Sequence, residues 1–310
     1  MDFMTRFAAS VTLFLMPAIF VFSFMELTLR HIPNNYSYKN QFMEANAGTL
    51  RILVLGSSHT LQGIDPQYFD EPAFNLASMS QTLKYDHFLF NKYSDKLTGL
   101  RYLIVPVSYF TLFGQLEDCN ENYRIKNYSI YYHCPYHLFS VKYNTEIFNG
   151  DTKSNIVRLM KYLLYNSNDV SCNKYGFSSG YSDATEKDLD ETGKAAVLRH
   201  TIADPYVYLQ ENVGYLESMI NACGSKKARV ILLTLPALSH YTSRLDKKQS
   251  DLMVRTCETL QEKYENVRYF SYLNDPRFTK EDFRDADHLN RRGAKKFTLI
   301  LRKSLQEKDP

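Results

Sequence analysis

The sequence predicts an α/β protein with about five parallel strands in one sheet and helices on both faces of that sheet. Five short apolar runs have the length of buried strands, and segments with the helical spacing of apolar residues lie between most of them. The chain has 310 residues, 44% of them apolar and 23% charged, which suffices for one large α/β domain with an insertion or for two modest domains. No internal repeat of fixed period interrupts this pattern.

The chain begins with a segment that predicts a membrane anchor over residues 1–30. Residues 7–25 carry no charge, and as a helix they would be about 28 Å long, close to the thickness of a bilayer core. The run ends in Phe-Ser-Phe-Met-Glu, a poor signal-peptide cleavage site, so we favour an uncleaved anchor over a cleaved signal. Because the preceding tail is short, we expect a single-pass cell-membrane protein with its domain outside the cytoplasm. Polar residues 31–48 then predict a linker.

The folded domain is expected to span residues 49–310. After the third strand the alternation of strands and helices stops, and residues 110–204 predict an inserted region on the substrate side, with a loop at 167–190. Asn290 is a good N-cap for the closing helix. The expected strands are 51–55, 73–77, 101–107, 228–235 and 267–272, and the expected helices are 80–97, 153–166, 205–222, 246–264 and 291–305.

Two distant segments carry the residue types of a nucleophilic triad. Residues 56–59 read Gly-Ser-Ser-His directly after the first strand, and residues 285–288 read Asp-Ala-Asp-His directly before the last helix. Functional sites of open α/β sheets form beyond the carboxyl ends of the strands, where the first segment lies and where we expect the second. We therefore expect serine, histidine and aspartate to meet there.

These two motifs, each in the matching element, resemble those of the SGNH (GDSL-like) hydrolase superfamily. The resemblance covers roughly residues 50–108 and 205–305 and implies a flavodoxin-like three-layer α/β/α fold. It implies that Ser58 is the nucleophile, His288 the general base and Asp285 the carboxylate that orients His288. Ser57 is expected to be a turn residue, and Asp287 is expected to point elsewhere. Residues 288–294 (His-Leu-Asn-Arg-Arg-Gly-Ala) continue a pattern typical of the branch that acts on surface polysaccharides.

The sequence departs from the family at the groups that would bind the oxyanion. The family uses a glycine N–H after the second strand and an asparagine side chain after the third, and neither residue is present here. Losing one such donor costs about 10²–10³ in rate. The remaining candidates for oxyanion or substrate contacts are Ser78, through backbone N–H groups near it, together with Ser108, Asn75 and His59. For His59 the alternative is a hydrogen-bonded histidine that supports the site without touching substrate.

Composition and spacing exclude several other classes of function. A net charge of +3 without a basic and aromatic cluster gives no reason to expect nucleic acid. The five cysteines lack zinc-binding spacing, and we expect no metal and no cofactor. His133 and His137, on either side of Cys134, leave a metal cluster as an open alternative with undefined geometry.

The sequence thus predicts a membrane-anchored, extracytoplasmic serine esterase or O-acyltransferase, with acetyl as the expected acyl group. It would act on a cell-surface polysaccharide through an acyl-serine intermediate. The expected partners are the glycan or an acyl donor, the membrane and, as the resemblance implies, a membrane-bound acyl exporter. The alternative is a non-catalytic assembly or binding protein of envelope glycan biosynthesis that keeps the fold, and a lipid esterase is a third possibility.

Overall fold

The computed structural model of the protein describes residues 3–149, 151–178 and 188–307. Its centre is a sheet of five strands, all parallel, in the order β2-β1-β3-β4-β5. β1 lies between β2 and β3, with Leu53 opposite both Phe74 and Leu103. The five strands are β1 (Ile52–Val54), β2 (Ala73–Asn75), β3 (Tyr102–Pro106), β4 (Arg229–Thr234) and β5 (Val267–Ser271).

Eleven α-helices belong to the part of the chain that the structure describes, together with six short 3₁₀ turns. Helices pack on both faces of the sheet, so the predicted α/β architecture is confirmed. The helices are α1 (Phe3–His31), α2 (Asn35–Asn46), α3 (Ser58–Gly63), α4 (Leu83–Ser94), α5 (Ile125–Tyr132), α6 (Thr152–Tyr165), α7 (Leu189–His200), α8 (Leu209–Ser225), α9 (Ser239–Thr242), α10 (Lys247–Lys263) and α11 (Arg291–Glu307).

The core forms where alternate strand residues meet the helices. On one face of the sheet, Val54, Ile104 and Leu233 belong to a buried cluster that includes Phe297 and Leu301 of α11. The neighbouring residues along each strand point to the opposite face and are buried as well. Burial on both faces explains why these strands are continuous apolar runs in the sequence.

The strands and long helices agree with the predicted ones to within a few residues at each end. The predicted cap of α11 is confirmed, because the Gly293 N–H donates to Asn290 Oδ1 at 2.9 Å. Within the segment predicted as a linker, 31–48, residues 35–46 are helical. The polar composition of α2, with few apolar residues at helical spacing, explains why the pattern did not reveal a helix. Part of the predicted loop at 167–190 lies outside the described residues.

The chain divides into two compact units. Unit 1 comprises residues 1–38 and 123–170, and unit 2 comprises residues 39–122 and 171–310, which contain the whole sheet. The region predicted as an insertion, 110–204, is therefore shared between the two units. The middle part of this region, residues 123–170, belongs to the same unit as the N-terminal helix. This grouping depends on tertiary contacts and has no signature in the sequence.

Helix α1 is long and apolar enough to cross a membrane by length and composition. None of its most apolar 18-residue stretch is buried by the residues that the structure describes. A core helix would be buried, so this helix has an apolar surface that the protein itself leaves uncovered.

Candidate active site

The turn between β1 and α3 presents Ser58 at the edge of the sheet. Gly56 has a φ of +111°, and a Cβ there would lie 2.1 Å from Cγ of Pro106, so only glycine fits this turn. The Gly56 N–H donates to the buried carboxyl of Asp86 at 2.8 Å. Ser57 occupies the N-cap position of α3, as expected for a turn residue, and Ser58, which is partly buried, is the first residue of the helix. Burial raises the pKa of Asp86 to about 7, although its hydrogen bonds oppose this.

The three residues predicted as a triad are brought together. Ser58 Oγ lies 2.9 Å from His288 Nε2, and His288 Nδ1 lies 2.9 Å from Asp285 Oδ1. They come from segments 230 positions apart in the sequence. A carboxylate can only accept, so Nδ1 carries a hydrogen toward Asp285, and in the neutral ring Nε2 is free to accept from the serine hydroxyl.

A tight loop before α11 fixes the aspartate against the histidine. Phe283 and Leu289 form an antiparallel bridge, and the Arg284 N–H donates to the His288 carbonyl at 2.9 Å. Asp285 Oδ1 also accepts the His288 backbone N–H at 2.9 Å, while Oδ2 accepts from the Arg284 guanidinium at 2.8 Å. Both carboxylate oxygens are therefore held, and the imidazole can adopt one orientation only.

The expectation that Asp287 points elsewhere is wrong. Asp287 Oδ1 lies 3.3 Å from His288 Nδ1, and its Oδ2 lies 3.1 Å from His59 Nε2. The loop is tight enough that two residues at spacing i and i+2 both face the same ring, which a simple turn would not allow. His288 thus contacts two carboxylates, and Asp287 joins it to a second histidine.

A second serine–histidine–aspartate series runs beside the first. His59 Nδ1 lies 3.2 Å from Ser108 Oγ, and its Nε2 lies 3.1 Å from Asp287. The rings of His59 and His288 pack edge to face with centroids 4.7 Å apart. His200, at the end of α7, lies near the same carboxylate at 3.9 Å and contacts the Tyr241 hydroxyl at 3.0 Å. The site therefore contains three buried or largely buried imidazoles around one carboxylate.

The pKa values of the imidazoles differ because their contacts differ. Burial alone would lower the pKa of His288, but Asp287 and Asp285 outweigh it and raise that pKa to about 9. Burial lowers the pKa of His59 and brings the pKa of His200 down to about 3. Burial would raise the pKa of Asp287, yet the positive charge of His288 and bonds from both histidines hold it well below its usual range. At neutral pH, therefore, His288 is the one of the three imidazoles that carries a positive charge.

Two of the residues predicted to contact an oxyanion or substrate are engaged elsewhere. Asn75 is fully buried, and its amide donates to the carbonyls of Thr60 and Ile64, both at 2.8 Å. Both hydrogens of this amide are used within the fold, so the Asn75 side chain offers no donor to an oxyanion here. The N–H of Ser78 itself donates to the Gly56 carbonyl at 3.0 Å, so the predicted contact would have to come from other N–H groups near it.

The other two candidates, His59 and Ser108, lie at the site. A neutral His59 donates from Nε2 to the Asp287 carboxylate, and its Nδ1 then accepts the Ser108 hydroxyl hydrogen. The Ser108 hydroxyl hydrogen therefore points to His59 and is not available to an oxyanion.

One group of possible metal ligands occurs in the residues that the structure describes, namely His59, Asp287 and His288. The same atoms make the hydrogen bonds just given, which already account for this cluster. His133 and His137 belong to no such group within the described ranges.

Asp287, His200 and Arg284 are the site residues that sequence reasoning missed or misjudged. An acidic residue next to the motif histidine is a visible signal for Asp287. His200 lies in the region predicted as an insertion, and no spacing linked it to the motifs.

Comparisons with known proteins come from structures alone, since no family model and no curated protein matches the chain. A structure described as a candidate platelet activating factor from Streptococcus pneumoniae has a TM-score of 0.42 at 11% identity, covering 96% of this chain and 99% of its own. A GDSL-like lipase from Bacteroides thetaiotaomicron has a TM-score of 0.42 at 10% identity, covering 88% and 98%. A candidate acylhydrolase from Bacteroides fragilis has a TM-score of 0.39 at 13% identity, covering 86% and 95%. Similarity at this level assigns no activity to the chain.

Proposed function

We propose that the protein is a serine esterase or O-acyltransferase, attached to the membrane by α1 and acting on a cell-surface polysaccharide. The single observation that carries the chemistry is the unbroken hydrogen-bonded series from Ser58 through His288 to Asp285, with both links at 2.9 Å. This series holds a hydroxyl, a base and a carboxylate in the order that nucleophilic catalysis requires.

In the proposed reaction, Ser58 Oγ forms a bond to the acyl carbon while its proton moves to His288 Nε2. The imidazolium stays stable because Asp285 accepts from Nδ1 and Asp287 lies close by. As the acyl C–O bond breaks, His288 returns the proton to the departing oxygen. Water or a sugar hydroxyl then attacks the acyl-serine by the same steps in reverse, which gives hydrolysis or transfer respectively.

The oxyanion would be stabilised chiefly by the first turn of α3. Ser58 begins this helix, and the first N–H groups of a helix have no acceptor within it. The Ser78 N–H and the Asn75 amide are occupied, so we expect fewer donors than in a full oxyanion hole and a modest rate. Each missing donor accounts for about 10²–10³ in rate.

The substrate class is proposed from two features outside the triad. Residues 288–294 carry the His-Leu-Asn-x-x-Gly-Ala pattern, which resembles the polysaccharide-acting branch of SGNH enzymes. A helix suited to spanning a membrane suits an enzyme whose substrate is fixed to the same envelope. On this basis we propose acetyl as the acyl group, with a membrane-bound acyl exporter as a partner if the reaction is transfer.

Labelling with a fluorophosphonate probe tests the proposed chemistry. We expect covalent labelling of the wild-type chain, loss of labelling in Ser58→Ala and retained labelling in Ser57→Ala. Ser57 is the adjacent serine, at the N-cap position of α3 with no side-chain hydrogen bond to the helix, so it is the matched control. Absence of labelling in folded wild-type protein, or equal labelling of Ser58→Ala, would show that Ser58 is not the nucleophile.

A second candidate is a non-catalytic protein that binds envelope glycan with the same fold. The observation that favours it is the occupation of both Asn75 and the Ser78 N–H, which leaves the oxyanion with few donors. Folded protein that binds a glycan but neither reacts with the probe nor cleaves p-nitrophenyl acetate would support this candidate. Turnover of acetyl esters with rejection of long-chain esters supports the glycan esterase, whereas preference for long chains indicates a lipid esterase.

A further inference from the structure

Helix α6, in unit 1, exposes its apolar stripe. Asn155 and Leu159 on one side of the helix are buried, while Ile156, Met160 and Leu163 on another side are exposed. Leu164 extends this stripe and is 62% exposed. These positions follow the helical spacing of an amphipathic face, which a soluble protein normally turns toward its core. Here the apolar face points away from unit 1.

The segment between α5 and α6 adds two exposed aromatic side chains. Phe139 is 99% exposed, and Phe148 is 65% exposed. These two side chains and the α6 stripe all belong to unit 1, and we call them together the apolar patch, defined by Phe139, Phe148, Ile156, Met160, Leu163 and Leu164. Exposed apolar surface of this extent marks an interaction site.

The apolar patch belongs to the same compact unit as the end of α1. Leu29 of α1 and Ile32, the residue after this helix, pack with Leu159 of α6, and Ile147 joins this cluster from the segment before α6. The Glu26 carboxylate accepts the Ile147 N–H at 3.0 Å.

A second hydrogen bond links the end of α1 to the segment before α6, since Arg30 donates to the Asn144 carbonyl at 2.5 Å. Glu26 and Arg30 mark the point at which the uncharged stretch of α1 ends. The patch is thus carried on elements fixed to the place where α1 would leave a bilayer.

The charges around the patch fit a lipid surface. Residues 138–165 contain four Lys or Arg and two Asp or Glu, and the buried carboxylate of Glu146 is neutralised by Lys126 and Arg158. Lys153 and Lys161 of α6 are exposed. Apolar side chains flanked by lysines are the composition of helices that lie in the membrane interface, where the lysines reach anionic headgroups.

We propose that the apolar patch inserts into the headgroup and acyl boundary of the bilayer that α1 spans. The proposal rests on the membrane attachment in the proposed function but not on its catalytic chemistry. Unit 1 is then held to the membrane at two places, by the spanning helix and by α6 lying along the surface. A protein partner covering the patch is the rival occupant, and the experiment below separates the two.

The chain contains no tryptophan, which allows single-tryptophan reporters in the full-length protein. Phe139→Trp and Leu164→Trp report on the patch, Phe20→Trp on α1, and Tyr206→Trp, at an exposed tyrosine of unit 2, is the matched control. Each variant is reconstituted into vesicles containing anionic lipid, with bromine atoms placed either just below the headgroups or deep in the acyl chains. Fluorescence is compared with that in unbrominated vesicles.

We expect shallow bromines to quench both patch reporters by at least about twofold, deep bromines to quench Phe20→Trp most strongly, and neither to quench Tyr206→Trp. Quenching of Phe20→Trp without quenching of either patch reporter overturns the proposal and favours a protein partner. If bromine quenches none of the reporters, Phe20→Trp included, both the proposed insertion of the patch and the membrane attachment by α1 are overturned. Fluorophosphonate labelling of the same samples shows independently whether the proposed catalytic function stands.

Discussion

Replacing Asp287 by asparagine should separate its effect on His288 from that of Asp285. Both carboxylates contact His288 Nδ1, at 2.9 Å for Asp285 and 3.3 Å for Asp287. Asp285 also accepts the His288 backbone N–H, so it fixes the ring as well as its charge. Asp287→Asn keeps the shape of the side chain and removes the second negative charge.

The magnitude follows from the protonation of His288. Its pKa is raised to about 9, so the ring is protonated below that pH and becomes a competent base only as the pH rises through it. At pH 7 roughly one ring in a hundred is neutral. Because Asp287 is the strongest of the groups that raise this pKa, its neutralisation lowers the pKa and increases the neutral fraction at pH 7. The gain in rate at pH 7 therefore has an upper limit of roughly 100-fold.

The assay is the pH profile of kcat/KM for p-nitrophenyl acetate, or of the fluorophosphonate labelling rate if turnover is slow. Wild-type activity should rise with pH to a plateau above about pH 9. Asp287→Asn should move the rising limb to lower pH with little change in the plateau. Asp285→Asn, the matched control, should lower the rate about 10³–10⁴-fold at every pH because the ring loses its orientation.

Two outcomes would refute this reasoning. If the rising limb of Asp287→Asn stays in place or moves to higher pH, Asp287 does not set the pKa of His288. If Asp285→Asn and Asp287→Asn have equal plateaus, Asp285 has no special role in orienting the ring.

Two further variants test the scaffold of the site. Gly56→Ala should destabilise the fold by about 2 kcal/mol and lower fluorophosphonate labelling at least about tenfold. The reason is that its Cβ would lie 2.1 Å from Pro106 at a φ of +111°. The control is Gly214→Ala, where a Cβ meets nothing within 4 Å, and this variant should be neutral or stabilising. Asn75→Ala should lower the free energy of unfolding in urea by about 3 kcal/mol, since the buried Ile64 carbonyl and Ala77 N–H lose the partners that Asn75 provides. Exposed Asn221→Ala should change it by less than about 0.5 kcal/mol, and equal effects in the two Asn variants would contradict the assigned structural role of Asn75.

The sequence by itself determined the sheet and the two segments that supply the site, one after β1 and one before α11. Parallel strands buried on both faces must be continuous apolar runs, so β1, β3 and β4 are visible as such. A glycine followed by serines after β1, and an aspartate three residues before a histidine ahead of α11, are local patterns. Their meeting follows from the α/β topology, which brings the carboxyl ends of parallel strands to one edge.

Only the tertiary structure decided which atoms face one another at that edge. The orientation of Asp287 depends on the bridge between Phe283 and Leu289, and the position of His200 depends on the packing of α7, neither of which follows from residue spacing. Asn75 is predicted from its place after β2 to contact a ligand, yet nearby carbonyls use its amide. Hydrogen bonds and burial are relations between distant residues, so a periodic pattern specifies the element on which a side chain lies but not the partner it finds.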